Sequence, residues 1–483
     1  MATRRRQPKP VVIPFNGPAY ELDSIFLSSQ LCRNFYLRSF PDVDKESYVL
    51  EGSPGLVEWL DTGSAVEIRG QLKYGSYTYA VAGSKLIRVS AAKVKVELGT
   101  LNTSTGRVGM ATNGLDLVVV DGVQGWMWDY SLETFAQITD PDFPVCKSII
   151  HTDGYYLVPK DGTGQIWRSD FNDGSSWGGL AFSTAGSEPD NLVAIALDNK
   201  DVYTIGENTT EIWYNSGAAT FNFDPIIPAF IQMGGVGPFA VTNGNNALYW
   251  VAKDKNGQGR IVQCTGRIPA TISTPFTDEK MKSWGDLSDI QMWSYEQLGH
   301  VFVVITSPSG DETLVFDSTE QKWHERSSRI GETDGRWRVS NHVLFNNLNL
   351  VGDKANGKIY ELSPTAYDED GSPMISIRRT PVIRDVQGRI TINRVQVITQ
   401  PGVGLSTGDD ADVNPYATLK WSRDGGRTYP LSESIPLGAI GEVENTAEVL
   451  QLGQGVNWVF ELSISAKVKR LILGAVAEVV YDG

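Results

Sequence analysis

One short pattern recurs seven times between residues 77 and 363: a run of β-branched or aromatic residues, a Gly/Asp/Asn turn, and a second short run. YTYAVAGSKLIRVS (77–90), DLVVVDGVQGWMWDY (116–130) and YYLVPKDGTGQIWRSD (155–170) are the first three. The others cover 202–217, 248–266, 301–318 and 348–363. Each reads as a β-hairpin. Second runs often end on an aromatic (Trp128, Trp167, Trp213, Tyr360), as expected of side chains wedged between neighbouring sheets. Successive units begin roughly 38 to 53 residues apart, the repeat length of four-stranded propeller blades. The first hairpin can pair with strands from the N-terminus, so the pattern predicts an all-β fold with a β-propeller of six or seven blades. A large β-sandwich is the rival architecture, and the even spacing favours the propeller. Helical periodicity is almost absent; SDIQMWSYEQLG (288–299) is short and equivocal.

After SPTAYDEDGSP (363–373) the pattern changes to longer alternating strands, among them ITINRVQVITQPG (390–402) and ATLKWSRDGGRTY (417–429). The expected organisation is therefore an extended N-terminal segment over 1–50, a propeller over 51–365 and a C-terminal β-sandwich domain over 366–483. Composition agrees with an ordered chain. Hydrophobic residues make up 41% and charged residues 20%, with 49 Gly for tight turns. No apolar run is long enough for a membrane span, and MATRRRQPKPVV lacks the apolar core of a signal peptide. Cys32, Cys146 and Cys264 are far apart and odd in number, as expected of buried thiols in a chain folded in a reducing cytoplasm.

Formal net charge is −15. A protein that grips phosphates needs the opposite sign over a large surface, so the balance argues against nucleic-acid binding. Arg4, Arg5, Arg6 and Lys9 form the single basic run, read as a flexible arm that can order on a partner.

SRDGGRTY (422–429) raises the question of a glycosidase. Ser422, Asp424, Gly426 and Thr428 have the spacing of an Asp-box, known from sialidases. The short polar side chains can satisfy loop N–H groups, and Gly425 and Gly426 can take positive φ. That makes a structural turn, not a catalytic group. A sialidase also needs boxes within its blades, an arginine cluster and a Tyr–Glu pair; no such set is identifiable here. His151, His300, His324 and His342 lie outside any zinc spacing, and no phosphate loop or nucleophile elbow is present. GDDADVNP (408–415) begins like an EF-hand, but Pro415 stands where Gly is required. Together with YDEDGS (367–372) it reads as a solvated turn. The sequence therefore predicts no catalytic residue, no cofactor and no metal.

SSQLCRNFYLR (28–38) followed by YVLEGSPGL (48–56) resembles the opening of tail hub, or tail nozzle, proteins of short-tailed bacteriophages, the packaged-DNA stabilisation family. Gln30, Cys32, Asn34 and Tyr36 carry the first element, and Pro54 and Gly55 the turn that follows. LKWSRDGGRT (419–428) is similar to the family's closing strand, which gives the Asp-box a home without hydrolysis. Ser53 stands where Thr is common, and the family's arginine-rich segment after the closing strand is absent. The resemblance implies a non-enzymatic virion protein of the podovirus tail, assembled in the host bacterial cytoplasm. It implies a homohexameric ring below the portal and adaptor that continues the DNA channel, retains packaged DNA and passes it at ejection without specific binding. Tail fibres and a needle or plug are the other implied partners. The alternative is a propeller-type module recognising glycan or protein on a cell surface, with a glycosidase a remote third.

Overall fold

The computed structural model describes residues 8–17, 30–41, 46–186, 189–253, 257–384, 388–442, 444 and 446–482. The chain divides into two compact units. One comprises Glu58–Asp311 and Trp337–Leu362; the other comprises Met1–Val57, Glu312–Arg336 and Ser363–Gly483.

The first of these is a seven-bladed propeller. Blade one is Ile68–Tyr74, Tyr77–Ala82, Lys85–Ser90 and Lys95–Thr100, antiparallel and in sequence order. Blades two to five repeat that four-stranded order over residues 109–137, 150–184, 192–231 and 241–271. Blade six gives this unit the hairpin Gln291–Gln297 and His300–Ser307. Blade seven is Val339–Phe345, Leu348–Asp353 and Lys358–Ser363, with Gly55–Asp61 beside its last strand. Residues 58–61, from before blade one, thus complete the last blade. Lys358 Nζ stands 2.7 Å from Glu58 Oε2 there, and Trp59 packs edge-on to Phe345. The first strand of each blade touches that of the next, and Val339–Phe345 touches Ile68–Tyr74, which closes the ring.

Sequence dictates the sharpest turns. Asp153-Gly154, Asn245-Asn246, Leu298-Gly299 and Asn346-Asn347 each place two consecutive residues at positive φ. Each bridges the first two strands of its blade, with the flanking residues paired in register. These are two-residue hairpins of the kind that match strand twist. The core lies between blades. Trp128 packs among Tyr79, Leu86 and Leu117 between blades one and two. Trp167 does the same between blades two and three, and Trp213 between three and four.

Sequence periodicity missed the helix Pro275–Trp284 and a single helical turn at Asp410–Val413. Thr274 caps the helix, with reciprocal bonds to Thr277, and Pro275 opens its first turn. The equivocal stretch at 288–299 is the first strand of blade six.

The second unit is a β-sandwich. One sheet runs in the order Phe35–Pro41, Glu46–Gly52, Leu471–Asp482, Arg389–Thr399, Glu448–Gly455, with Lys9–Ile13 also on Leu471–Asp482. The facing sheet includes Lys322–Ile330, Leu31–Arg33, Ser376–Arg379, Asn457–Ile464, Tyr416–Ser422 and Leu431–Pro436 in that order. Phe35, Leu50, Ile392, Trp421, Trp458 and Phe460 meet in one core. The N-terminal segment is therefore built into the sandwich. Lys9 and Pro10 are not part of a free arm: they pair with Val479 and Glu478. Among the described residues this strand has a partner on one side only, where a missing N–H is cheap, so Pro10 is tolerated. Arg4, Arg5 and Arg6 lie outside the described residues.

Candidate functional site

Within the sandwich unit, the signature residues form a buried polar seam. Leu31–Arg33 lies antiparallel to Ser376–Arg379 with Cys32 opposite Arg378, and parallel to Lys322–Ile330 with Arg33 opposite Glu325. The Arg33 guanidinium donates to Glu325 Oε2 from two nitrogens, at 3.2 and 3.1 Å.

Asn34 ends that strand at a φ of 53°, a region asparagine enters more readily than most residues. Its N–H donates to the Glu325 carbonyl at 2.9 Å, and its carbonyl accepts from Ser53 N–H and Ser376 Oγ, both at 3.0 Å. The side-chain amide donates to the carbonyls of Ser327 at 3.1 Å and Ile375 at 2.8 Å. Its Oδ1 accepts from Ser327 N–H at 3.0 Å. Donating twice and accepting from one buried position is what an amide can do and a carboxylate cannot.

Two arginines complete the seam. Arg378, fully buried, donates to the carbonyls of Phe15 at 2.6 Å, Gly17 at 2.7 Å and Leu31 at 3.4 Å. Gln30 Oε1 is at 3.5 Å from the same guanidinium. Arg470 donates to Ser376 Oγ at 3.1 Å and to the carbonyls of Tyr367 and Ala466 at 2.6 and 3.0 Å. Burial pushes both guanidinium groups below the ordinary value, Arg470 to about 10 with Asp368 opposing. Backbone carbonyls rather than carboxylates accept most of their hydrogen bonds, which places them as braces between strands.

Cys32 sits in the core with its Sγ donating to the Phe35 carbonyl at 3.3 Å. Burial pushes its thiol up to about 11, against the lowering effect of Arg378, which disfavours the nucleophilic thiolate. Tyr36 is buried, its ring 6.4 Å from that of His324. Pro54 O accepts from Arg326 at 3.0 Å. Gly55 needs no special φ; a Cβ there would stand 2.3 Å from the Asp368 carbonyl oxygen, so glycine permits a close backbone approach.

The Asp-box is a separate feature of the same unit, joining Tyr416–Ser422 to Leu431–Pro436. Ser422 Oγ donates to Asp424 Oδ1 at 2.6 Å and accepts from Gly426 N–H at 2.8 Å. Asp424 Oδ1 also accepts from the N–H groups of Arg427 and Thr428, both at 3.0 Å, and Oδ2 from Thr428 Oγ1 at 2.7 Å. Gly425 and Gly426 have φ of 81° and 95°. These donors, Ser422 Oγ foremost, hold the Asp424 carboxyl down at about 2. Its oxygens are spent on the turn.

The acidic stretches differ from solvated turns. Asp412 is buried and accepts from Lys467 N–H at 2.9 Å, and Glu369 is buried too. Among the described residues, no group of three or more His, Cys, Asp and Glu is placed to hold a metal ion. No helix among them is long and apolar enough to cross a membrane.

The family described as "Bacteriophage P22 Gp10, beta-propeller" matches residues 22–367, which include both the signature segment and all seven blades. The chain belongs to this phage tail-stabilisation family. No curated protein sequence matches significantly. Solved structures with a similar course include the N-terminal domain of Nup159, at 11% identity over 69% of this chain and 98% of that one, with a TM-score of 0.40. The computationally designed Ika8 protein aligns at 14% identity over 69% of this chain and 100% of its own, with a TM-score of 0.36. PorZ of Porphyromonas gingivalis aligns at 10% identity over 71% of this chain and 44% of its own, with a TM-score of 0.37.

Sequence reasoning found the signature but missed its braces. Arg378, Arg470 and Glu325 carry no motif. In ISIRRT (375–380) the apolar alternation of Ile375 and Ile377 runs to Arg379, whereas the buried positions are Ser376, Arg378 and Thr380, so the pattern points away from the brace.

Proposed function

We propose that the protein is a non-enzymatic subunit of a podovirus tail, forming a homohexameric nozzle ring below the portal and adaptor. In this reading the ring continues the DNA channel, retains packaged DNA and lets it pass at ejection. Subunits assemble in the host cytoplasm, and fibres and a needle or plug attach to the finished ring. The observation that carries the reading is the family match over residues 22–367. The use of the site's polar groups supports it. Asn34, Arg378, Arg470 and Asp424 spend their hydrogen bonds on the protein's own backbone and neighbouring hydroxyls. Such groups fix a shape that other subunits can recognise.

Native mass measurement of the purified chain, alone and mixed with the portal-side adaptor ring, tests this. The expected result is a six-subunit assembly seated on the adaptor. A chain that ignores the adaptor but binds cell-surface glycan would overturn it.

A further inference from the structure

Every blade of the propeller presents an apolar side chain to solvent at the same end of the ring. The turns joining a blade's first two strands and its last two emerge together there. Asn172 N–H donates to the Gly154 carbonyl at 2.7 Å, which ties the two turns of blade three. Neighbouring blades meet at the same level. Asn215 Nδ2 donates to Asp153 Oδ2 at 3.0 Å, and Arg267 donates to the Asp201 carboxylate at 2.5 and 2.8 Å. At or beside these turns stand Val94, Leu132, Phe171, Tyr214, Ile268 and Leu298, from blades one to six in order. Blade seven adds Leu344. These side chains are 45% to 73% exposed. The opposite end differs. Its turns are rich in Gly, Ser, Asp, Asn and Thr, and among the described residues its large exposed apolar side chains are Val123 and Val145.

Leu298 shows that the apolar end is not an accident of composition. It occupies the tip of a two-residue turn at a φ of 54°, where Asn or Gly would be less strained. Its exposed side chain recovers little of that strain through burial in the fold. Strain kept at an exposed position points to a contact made outside the free chain.

Charge narrows the choice of contact. Arg267 is spent on Asp201, Glu133 is paired with Arg88, and Lys93 lies over the Trp59 ring at 6.0 Å. The face therefore offers few free cations for phosphate or for an acidic partner, and the chain as a whole carries −15. A protein partner needs a contiguous, dry, apolar core on the docking surface. Here the apolar side chains stand on separate blades, among turns built from Asn, Gly and Ser. Separate apolar anchors with polar atoms between them suit a surface into which each can enter independently.

We infer that this end of the propeller seats on an uncharged lipid surface, its apolar turn residues entering the acyl boundary and its polar turn atoms lying among zwitterionic headgroups. Aromatic side chains such as Tyr214 suit that boundary, being apolar in body and polar at one tip. The inference rests on the propeller face alone and stands independently of the nozzle reading.

Flotation of the purified full chain with phosphatidylcholine vesicles, at about 0.1 and about 1 M salt, tests it. The chain is expected to float with the vesicles at both salt concentrations. Phosphatidylglycerol vesicles should bind it no more tightly, because the chain is itself acidic. The combined substitution Leu132→Asn, Ile268→Asn and Leu298→Asn should weaken binding at least about tenfold, since burying even one aliphatic side chain is worth about that much. Val123→Asn with Val145→Asn, at the opposite end, should leave binding unchanged. Absence of flotation would overturn the inference in favour of a protein partner. Release at high salt, tighter binding to phosphatidylglycerol, or an equal loss in the opposite-end pair would overturn it as well. So would self-association of the unaltered chain without lipid that the three tip substitutions abolish, since a second copy would then cover the face. Should the combined variant fail to fold, Leu132→Cys carrying an environment-sensitive fluorophore decides. Its emission should shift to the blue on adding phosphatidylcholine vesicles, and the same label at Val123→Cys should not; equal responses overturn the inference.

Discussion

Asn34 shows how much structure one side chain can hold. It is 1% exposed, and its amide joins the backbones of Ser327 and Ile375, nearly 300 and more than 300 residues away in sequence. Asn34→Ala leaves Ser327 N–H and the Ile375 carbonyl without that partner. The expected loss is about 2–4 kcal/mol in chemical denaturation of the sandwich, since each orphaned buried group costs about 1–3 kcal/mol. Asn34→Gly removes the strain of the 53° φ but not the loss of bonds, so it should recover only a part. A glycine variant as stable as the original would show that backbone conformation, not the amide, is what matters at this position. Asp424 works more locally. Asp424→Ala should cost about 1–2 kcal/mol through the lost turn bonds and remove no hydrolytic activity. Its carboxyl sits at about 2 in the fold against an ordinary 3.8. A carboxyl depressed in this way stabilises the hairpin above about pH 4, and that contribution fades as pH falls toward 2. Acid titration of Thr428 amide protection should follow this window in the native protein and show no such step in Asp424→Asn. Sialic-acid release by the protein, abolished by Asp424→Ala, would contradict the structural role.

Elements divide into those whose signals are local and those whose signals are not. The two-residue turns are local. Leu298 is the odd member of that set, a branched, 60% exposed side chain at a φ of 54° where its counterparts are Asp or Asn. A left-handed conformation costs an ordinary L-residue roughly 1–2 kcal/mol. Leu298→Asn should therefore raise propeller stability by about 0.5–1 kcal/mol, read as a higher denaturation midpoint; a lower midpoint would show that Leu298 makes contacts that outweigh its strain. The capped helix is equally local, but its buried residues carry no regular apolar period. Pro275–Trp284 buries Phe276, Thr277, Met281 and Trp284, an irregular set, and its clearest mark is Thr274-Pro275 with Thr277. Thr274→Ala should cost about 1 kcal/mol, measurable by the same denaturation. Hairpins and inter-blade aromatics were legible for the same reason, each being written within about 20 consecutive residues, and blade spacing follows from their recurrence. Pairing of Lys9–Ile13 and Phe35–Pro41 into a sheet with Leu471–Asp482 was not, since nothing in a strand's own sequence names a partner more than 400 residues away. The polar seam failed to show for a related reason. Gln30, Cys32, Asn34 and Tyr36 stood out by resemblance, whereas Arg378 and Arg470 acquire their meaning only from the carbonyls that surround them.

At the scale of the whole molecule, charge connects the fold to the proposed role. The chain carries −15, and many of its basic side chains are already matched. Lys85 pairs with Glu97, Arg88 with Glu133, Arg267 with Asp201, and Arg394 with both Glu448 and Glu478. Exposed pairs of this sort add little stability, but they neutralise cations that could otherwise hold phosphates. Net field is then set by the unpaired acids. In a six-subunit nozzle the wall must let DNA slide, and each free Lys or Arg facing the channel would add affinity through counterion release. Enough such contacts would act as brakes. The acidic excess is therefore expected to line the lumen, with cations outward or paired. The competing explanation is that net charge serves solubility alone, in which case acids distribute evenly over the ring. Duplex titration of the assembled ring at low salt separates the two. Binding weaker than micromolar, together with a bore whose free charges are acidic, is the expected result. Submicromolar binding, or a bore dominated by unpaired Lys and Arg, would reject the lumen assignment even if the ring itself forms.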